Sequence, residues 1–389
     1  MNARGNIFLI YFFSATIVAG CKKPYTPPAV TTNVSYLVVE GAINAAQDST
    51  IINLSRTVNI SGKIGANAEL GAKVIVESDR NAAYPLQELG KGRYASPALN
   101  IDPTYKYRLD IFTVDNKEYV SDFEPVKPTP PIDSIGFIQQ SGGIQLYLNT
   151  HDPNNSTRYY RWEYNETWQF HAKYGAGFIT DGKQLHYRTP DQQIYNCFGN
   201  DTSGTILLGS TAALSQDVVY QTPLTQILST SEKLETKYSI LVRQYALTSN
   251  AYSFYQNLKK NTEQLGTIFS AQPSELAGNV HCVTVPSELV IGYVSVTNVQ
   301  QKRIFIDNSR LPQSWYPAYP YTCTQDSLLF CHNSCQNDVA LFLIPLGSTQ
   351  LATEPIVDKF GNLIGYLASE RECADCTIRG HTKQPVFWK

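Results

Sequence analysis

The cysteines are the residues whose type and spacing could support chemistry. The chain has eight, and five of them lie after residue 320: Cys323, Cys331, Cys335, Cys373 and Cys376. The spacings Cys331-His-Asn-Ser-Cys335 and Cys373-Ala-Asp-Cys376 would suit zinc, which binds thiolates. A redox-active Cys-x-x-Cys is a further alternative, although no βαβ thioredoxin pattern surrounds it. Because an exported chain meets oxidising conditions, we expect at least two disulfides among these five residues, and the spacing leaves their connectivity open.

A second candidate site is the run Trp315-Tyr-Pro-Ala-Tyr-Pro-Tyr321. Its two prolines favour an extended backbone, and four aromatic rings project from it. We predict that Trp315, Tyr316, Tyr319 and Tyr321 form a contact surface for an oligosaccharide or a peptide. The alternative is that these rings cover the underside of their own loop, since aromatic rings dominate protein cores and interfaces alike.

A search for catalytic motifs is negative. The sequence contains no HExxH, GxSxG, GxxxxGK[ST] or Rossmann glycine motif, and no two of its six histidines have the spacing of a helical metal pair. We therefore assign no catalytic residue, no metal and no cofactor. A pair of carboxylates that meets only in the folded protein stays an open alternative. The net charge of −2 does not indicate a nucleic-acid partner, which requires a basic surface.

The N-terminus predicts export and a lipid anchor. Residues 1–20 have one arginine, a short apolar stretch and small residues before a cysteine, as a secretory signal does. Val18-Ala19-Gly20-Cys21 resembles a lipobox, so we predict cleavage between Gly20 and Cys21 and attachment of diacylglycerol to the Cys21 thiol. The alternative is an ordinary signal peptide followed by an unrelated cysteine. The apolar stretch is shorter than the about 20 residues of a spanning helix.

The rest of the chain predicts a mainly β protein. Residues 21–33 are rich in proline, which predicts an extended tether. Short β-branched segments over residues 34–124 indicate an immunoglobulin-like or prealbumin-like sandwich. Four prolines at residues 124–132 indicate a domain boundary. Residues 132–389 predict a larger β-sandwich with a Cys-rich C-terminal tail, and apolar residues spaced three and four apart predict an amphipathic helix near residues 249–265.

Several ordered segments resemble one family. The strand-like Arg158–Trp168 and Tyr238–Ala246, the helical Ala251–Glu263, and the C-terminal Glu372–Gly380 and Pro385–Trp388 are similar to the domain-of-unknown-function family 4249 over nearly all of the mature chain. The resemblance implies an outer-membrane lipoprotein, often encoded beside a TonB-dependent receptor, with no established catalytic residues. Lys22 and Lys23 follow the predicted lipidation site in place of acidic residues, so the membrane face remains open.

Three functions are compatible with these features. We favour a lipid-anchored accessory or binding protein of the cell outer membrane that associates with a TonB-dependent receptor in nutrient capture. The alternatives are a hydrolase of envelope or dietary polymers and a structural or adhesive β-sandwich lipoprotein. The expected partners are the outer-membrane bilayer, the receptor, and an oligosaccharide or peptide ligand.

Overall fold

The fold is known from a computed structural model that describes residues 35–58, 67–263, 276, 278–330 and 336–388. The predicted signal peptide, the tether with Cys21, and Cys331 and Cys335 lie outside the described residues. Among the described residues, no helix has both the length and the apolar character that crossing a bilayer requires.

The described chain is mainly β, as predicted. The helices are α1 (Ser249–Glu263), α2 (Asp338–Phe342) and α3 (Arg371–Ala374), and the strands in chain order are β1 (Leu37–Asn44), β2 (Thr50–Arg56), β3 (Asn67–Ala68), β4 (Lys73–Ser78), β5 (Ala83–Glu88), β6 (Arg93–Ser96), β7 (Lys106–Phe112), β8 (Glu118–Ser121), β9 (Glu124–Pro125), β10 (Ile132–Gln140), β11 (Gly143–Asp152), β12 (Tyr159–His171), β13 (Phe178–Thr180), β14 (Leu185–Tyr187), β15 (Asn196–Thr202), β16 (Leu207–Ser210), β17 (Asp217–Leu228), β18 (Lys237–Ala246), β19 (Val280–Cys282), β20 (Val290–Gly292), β21 (Ser295–Thr297), β22 (Gln300–Asp307), β23 (Asp326–Leu329), β24 (Gln350–Val357) and β25 (Leu363–Glu370).

The N-terminal strands form a twelve-stranded sheet that closes over its own core. Its main path is β19-β8-β7-β4-β5-β6-β2-β1-β20, with β3, β9 and β21 attached to single strands. Alternate residues such as Val74 and Val76 on β4, and Leu109 and Ile111 on β7, point into this core. The alternation that predicted a sandwich therefore corresponds to one buried and one outer face.

Three strands of this sheet come from far along the chain. β20 and β21 pair in parallel with β1, and β19 pairs antiparallel with β8. The predicted boundary assigns these three strands to the larger domain, whereas in the structure they belong to the N-terminal sheet. Each strand is only three residues long, so none shows a period-two pattern that a sequence reading could detect.

The larger unit is a sandwich of two sheets. A three-stranded sheet, β10-β11-β17, faces a sheet of order β15-β12-β18-β22 to which β16 is added. Ile144 and Leu148 from one sheet and Trp162 and Ile240 from the other belong to a single buried cluster. The thirteen-residue strand β12 supplies the large rings of this core, because its aromatic and polar residues alternate.

The proline-rich boundary is clamped between the two units by buried hydrogen bonds. The Thr129 and Thr297 hydroxyl oxygens are 2.6 Å apart, and the Ala246 backbone N–H donates to Thr129 Oγ1 over 3.0 Å. The Gln244 side-chain amide donates to the Pro130 carbonyl over 2.8 Å and accepts from the Trp162 indole N–H over 2.7 Å. We call this group the Thr129–Gln244 joint. The joint fixes the proline-rich segment where the chain passes from one unit to the other, because buried polar groups would lose their hydrogen-bond partners if the units separated.

The predicted helix is present as α1. Ala251 and Phe254 are its buried residues, and they pack with Tyr245 and Tyr293 between the two units. A smaller layer follows, in which β23, β25 and β24 form a three-stranded sheet over a core that includes Val339 of α2 and Tyr366 of β25.

Two disulfides fix the C-terminal tail, and one of them joins it to the larger sandwich. Cys323 bonds to Cys373, and Cys376 bonds to Cys197 on β15, which the sequence analysis did not include among the candidates. The prediction that the candidates pair with one another is therefore wrong for Cys376. Strand β15 brings Cys197 beside the tail across 179 residues, a proximity that only the fold creates. The remaining described cysteine, Cys282, is a free thiol buried in the N-terminal core.

We predict that the long-range disulfide contributes more to stability than the short-range one. By lowering the conformational entropy of the unfolded chain, a cross-link over 179 residues raises the free energy of the unfolded state by ~5 kcal/mol, against ~4 kcal/mol for the link over 50 residues. Calorimetry should therefore show a larger fall in melting temperature for Cys197→Ala/Cys376→Ala than for Cys323→Ala/Cys373→Ala. Peptide mapping of the unreduced protein gives the direct check, and a Cys373–Cys376 peptide would contradict the pairing.

A second prediction concerns Asp110, a carboxylate on β7 that is only 4% exposed and whose Oδ1 has no hydrogen-bond partner among the described residues. Burial raises its pKa to about 6. The unfolded chain therefore releases this proton first as the pH rises, so the free energy of unfolding should fall between about pH 4 and pH 6.

Asp110→Asn removes this charge, and we expect it to raise the free energy of unfolding at pH 7 by about 1–2 kcal/mol and to flatten the pH profile. Urea denaturation at pH 4, 5, 6 and 7 measures both effects. Asp326→Asn, at an exposed position, is the matched control and should change neither. An unchanged profile in Asp110→Asn would show that Asp110 is not the titrating group.

Candidate functional site

The aromatic run forms a loop over one end of the larger sandwich. It follows the 3₁₀ turn Asn308–Arg310 and covers the 3₁₀ turn Glu232–Leu234, which connects β17 to β18. The Ala318 backbone N–H donates to the Thr230 carbonyl over 2.8 Å and holds the loop there. Between the loop and the sandwich lies a cavity of about 470 Å³, which we call the aromatic-loop pocket. Its size falls within the range of small-ligand sites.

The four predicted contact residues have different environments. Trp315 is partly buried and packs against the core of the larger sandwich. Tyr319 donates from its hydroxyl to the Glu372 carbonyl over 3.2 Å, and its ring lies 6.1 Å from that of Tyr321. Tyr316 is 75% exposed. Trp315 and Tyr319 thus have roles in packing, while Tyr316 presents its ring to solvent at the pocket.

The wall opposite the loop carries a histidine and a carboxylate in contact. His171 Nε2 lies 3.3 Å from Glu235 Oε1, and the His171 backbone N–H donates to Glu235 Oε2 over 3.1 Å. The imidazole stacks on Tyr195 with ring centroids 5.0 Å apart. Burial raises the pKa of Glu235, while the charge and backbone N–H of His171 act in the opposite direction. The pocket therefore contains a carboxyl group that binds protons at higher pH than an exposed glutamate.

A second carboxylate, Glu232, is held by cationic and neutral donors. The Trp168 indole N–H donates to its Oε1 over 3.0 Å, and Arg379 forms an ion pair with its Oε2. The Arg379 guanidinium also lies 4.6 Å from the Tyr319 ring centroid, which is a cation–π distance. Arg379 thereby connects the aromatic loop to the carboxylate wall.

The Cys197–Cys376 disulfide positions Arg379. The 3₁₀ turn Cys376–Ile378 directly precedes it, and the Cys197–Cys376 bond fixes that turn on β15. The Arg379 backbone N–H donates to the Cys376 carbonyl over 3.0 Å. The disulfide thus contributes to the pocket by holding Arg379 in place beside Glu232.

Of the four residues predicted from the sequence, Trp315, Tyr316 and Tyr319 line the pocket and Tyr321 does not, while the polar wall was not predicted. His171, Glu232 and Glu235 line the pocket, and Arg379 pairs with Glu232 from outside the lining; the four residues come from three separate parts of the chain, so no spacing in the sequence could indicate them. The only local signal is that Glu232 and Glu235 are three residues apart in a polar turn. Such turns are common and carry no chemical information by themselves.

Metal binding finds no support in the described part of the chain, where no group of three or more His, Cys, Asp or Glu side chains converges. Cys373 and Cys376 are bonded to different partners, so their sulfurs are neither thiolate ligands nor a redox pair with each other. The zinc alternative for Cys331 and Cys335 concerns residues outside the described ranges. The pocket instead offers aromatic faces, carboxylate acceptors and an imidazole.

Comparisons with known proteins identify the family. A search of curated proteins finds no match. Among solved structures, a mutant of the alpha-2-macroglobulin of Salmonella has a TM-score of 0.19 and 9% sequence identity, covering 85% of this chain and 16% of its own, and a similarity this weak supports no conclusion about the fold. The family model described as a domain of unknown function, DUF4249, matches residues 22–303. The match extends over more than half of the sequence, and the chain belongs to the DUF4249 family.

Proposed function

We propose that this protein is a lipid-anchored binding protein of the outer membrane that presents a ligand to a TonB-dependent receptor. The observation that carries the binding role is the aromatic-loop pocket, with exposed Tyr316 on one wall and the His171–Glu235 pair on the other. The lipobox ending at Cys21 supports the anchor. The receptor partnership rests on the family resemblance.

An oligosaccharide is the ligand that the pocket suits best. A sugar ring presents an apolar face that can stack on Tyr316, and its hydroxyls can donate to the carboxylates of Glu232 and Glu235. Asn308 adds an amide to the same lining. The proline-stiffened loop loses little conformational entropy on binding, which favours affinity.

Hydrolysis of a polymer is a second candidate function, and the raised pKa of Glu235 favours it. A carboxyl group that stays protonated at higher pH can act as a general acid, while Glu232 in the same pocket could act as the second carboxylate. In that case Glu235→Gln would abolish product formation and retain ligand binding. A bound oligosaccharide that stays intact during long incubation with the native protein would exclude this candidate.

We predict that Tyr316→Ala weakens ligand binding about tenfold, since the stacking of a sugar ring on one exposed aromatic ring contributes about 1–1.5 kcal/mol. Its melting temperature should stay within a degree or so of the native value, because the ring is exposed. Calorimetric titration against a panel of oligosaccharides and differential scanning calorimetry measure the two quantities.

Tyr187→Ala is the matched control for this experiment, since Tyr187 is 74% exposed and does not line the pocket. Trp315→Ala should instead lower the melting temperature, because its ring packs on the core. Equal ligand affinity in the native protein and Tyr316→Ala would contradict the assignment of the pocket.

We also predict that Cys21→Ser abolishes membrane retention. A diacylglycerol anchor adds ~0.8 kcal/mol for each buried CH₂ group and holds a protein without a spanning helix. The native protein should partition into the detergent phase with membranes, and the variant should stay unprocessed or be released. Mass spectrometry of the mature protein identifies its first residue and any lipid attached to it, and an unmodified terminus at another residue would rule out the anchor.

The receptor partnership needs a separate experiment. The lipidated protein, purified through a C-terminal tag from detergent-solubilised outer membranes, should retain a TonB-dependent receptor as a stoichiometric partner. The Cys21→Ser variant serves as the control for membrane association. Recovery of the lipoprotein alone, under conditions that keep other outer-membrane complexes intact, would favour the structural or adhesive alternative.

A further inference from the structure

A second cavity, of about 920 Å³, lies between the two β units. Its floor is the outer face of β12 and β18, one wall is the outer face of β1 and β2, and α1 closes the back. We call it the inter-sheet cleft. It shares no lining residue with the aromatic-loop pocket. Clefts at domain interfaces are preferred positions for ligands.

The floor contains an arginine, Arg161, that packs between two aromatic rings. The Arg161 guanidinium carbon lies 4.3 Å from the ring centroid of Tyr245 and 4.7 Å from that of Tyr255, so it is held between two aromatic rings. Arg161 forms an ion pair with Glu163, and its side chain is 12% exposed. Its Nε has no hydrogen-bond partner among the described residues. The cation is thus oriented and desolvated, with unused donor capacity.

A second arginine lies opposite the same carboxylate. Arg243 stands opposite Glu163 in the β12–β18 register, and the only side-chain hydrogen bond of Arg243 in the described ranges goes to the Asn165 side chain. Burial acts to raise the pKa of Glu163, but Arg161 and the Tyr245 hydroxyl, which donates over 2.8 Å, lower it below the usual value. Glu163 is therefore ionised at neutral pH. Two guanidinium groups face this one carboxylate, so the floor carries an excess positive charge.

The wall adds further polar side chains. Asn53 on β2 and Arg93 on β6 are directly opposed and exposed, and neither side chain has a hydrogen-bond partner among the described residues. Gln301 donates to Asp48 over 3.0 Å at the rim. Asp48 and Glu40 are exposed carboxylates of the same lining, and with Glu163 they equal in number the three arginines Arg93, Arg161 and Arg243, so the excess positive charge is local to the floor.

The lining consists of strand faces, and this restricts the ligand. β1 is paired with β2 on one side and with β20 and β21 on the other, and β12 and β18 are interior strands of their sheet. An extended peptide would gain affinity from a free strand edge, which these four strands do not offer. A ligand in this cleft is therefore recognised by side chains.

We propose that the inter-sheet cleft binds an acidic oligosaccharide, with a uronate carboxylate seated between Arg161 and Arg243. A guanidinium fork binds a carboxylate with two parallel hydrogen bonds. The side chains of Asn53, Asn165 and Gln301 provide donors and acceptors for the sugar hydroxyls. The volume of about 920 Å³ accommodates a few sugar rings, and the Tyr255 ring at the back supplies an apolar surface.

Calorimetric titration of the full mature protein with trigalacturonate tests this site. Maltotriose is the neutral comparison, and triglutamate is a peptide of the same charge. Trigalacturonate should bind with an affinity that falls as NaCl is raised, and the other two should bind at least about tenfold more weakly. Equal binding of maltotriose to Tyr316→Ala, in which the aromatic-loop pocket is impaired, would overturn the role of the arginines, and equal binding of triglutamate would overturn the assignment to a sugar.

Arg243→Gln should weaken trigalacturonate binding about tenfold or more, as loss of one charged hydrogen-bonding group predicts. Arg243→Lys should retain part of the affinity, since it keeps the charge and loses the planar fork. Arg80→Gln, an exposed arginine outside the cleft, is the matched control. Unchanged affinity in Arg243→Gln with a native melting temperature would overturn the proposal.

Tyr316→Ala separates the two sites. It should leave trigalacturonate binding unchanged, because Tyr316 lines only the aromatic-loop pocket. Loss of trigalacturonate binding in Tyr316→Ala, with full binding in Arg243→Gln, would place the acidic sugar in the aromatic-loop pocket and overturn the inter-sheet site. If trigalacturonate binds as expected and the purification from outer membranes recovers no receptor, the proposed function fails and this inference stands.

Discussion

The arrangement of both β units depends on the buried Thr129–Gln244 joint. A proline-rich crossing lacks several backbone donors, so its carbonyls need partners from elsewhere. Gln244 supplies one donor to Pro130 and keeps its own oxygen bonded to Trp162, the largest fully buried side chain of the larger sandwich. On the side of the N-terminal sheet, the Thr297 hydroxyl donates to the Lys127 carbonyl over 2.9 Å. The joint thus ties the crossing to both cores, and a prolyl linker that would otherwise separate two domains becomes a fixed connection.

The inter-sheet cleft is a direct consequence of that connection. Thr297 belongs to β21, which pairs with β1, and Gln244 belongs to β18, whose outer face is the floor of the cleft. The distance between wall and floor is therefore set by side chains that also fill the joint. Since buried amide and hydroxyl groups are costly to leave unpaired, the cleft is preorganised before any ligand arrives.

Sequence reasoning succeeded where a pattern is long and local. The alternation over β12, the spacing of apolar residues in α1 and the proline cluster before β10 each extend over nine or more residues, enough for periodicity to exceed chance. It failed for β19, β20 and β21, which are three residues each and gain their stability from pairing with distant strands. The partner of Cys376 and the polar wall of the aromatic-loop pocket were missed for the same reason: they are produced by tertiary contacts alone.

Arg56 and the pair Arg161 and Arg243 differ in how fully their charges are neutralised within the fold. Arg56 in the N-terminal sheet lies between Glu69 at 2.6 Å and Glu288 at 3.3 Å, so its charge is neutralised within the fold. Arg161 and Arg243 have one carboxylate between them. A buried ion pair contributes little net stability, and an excess buried cation contributes less, so stability alone does not explain the second cluster. An anion that enters the cleft would complete it in the way that Glu69 and Glu288 complete the first.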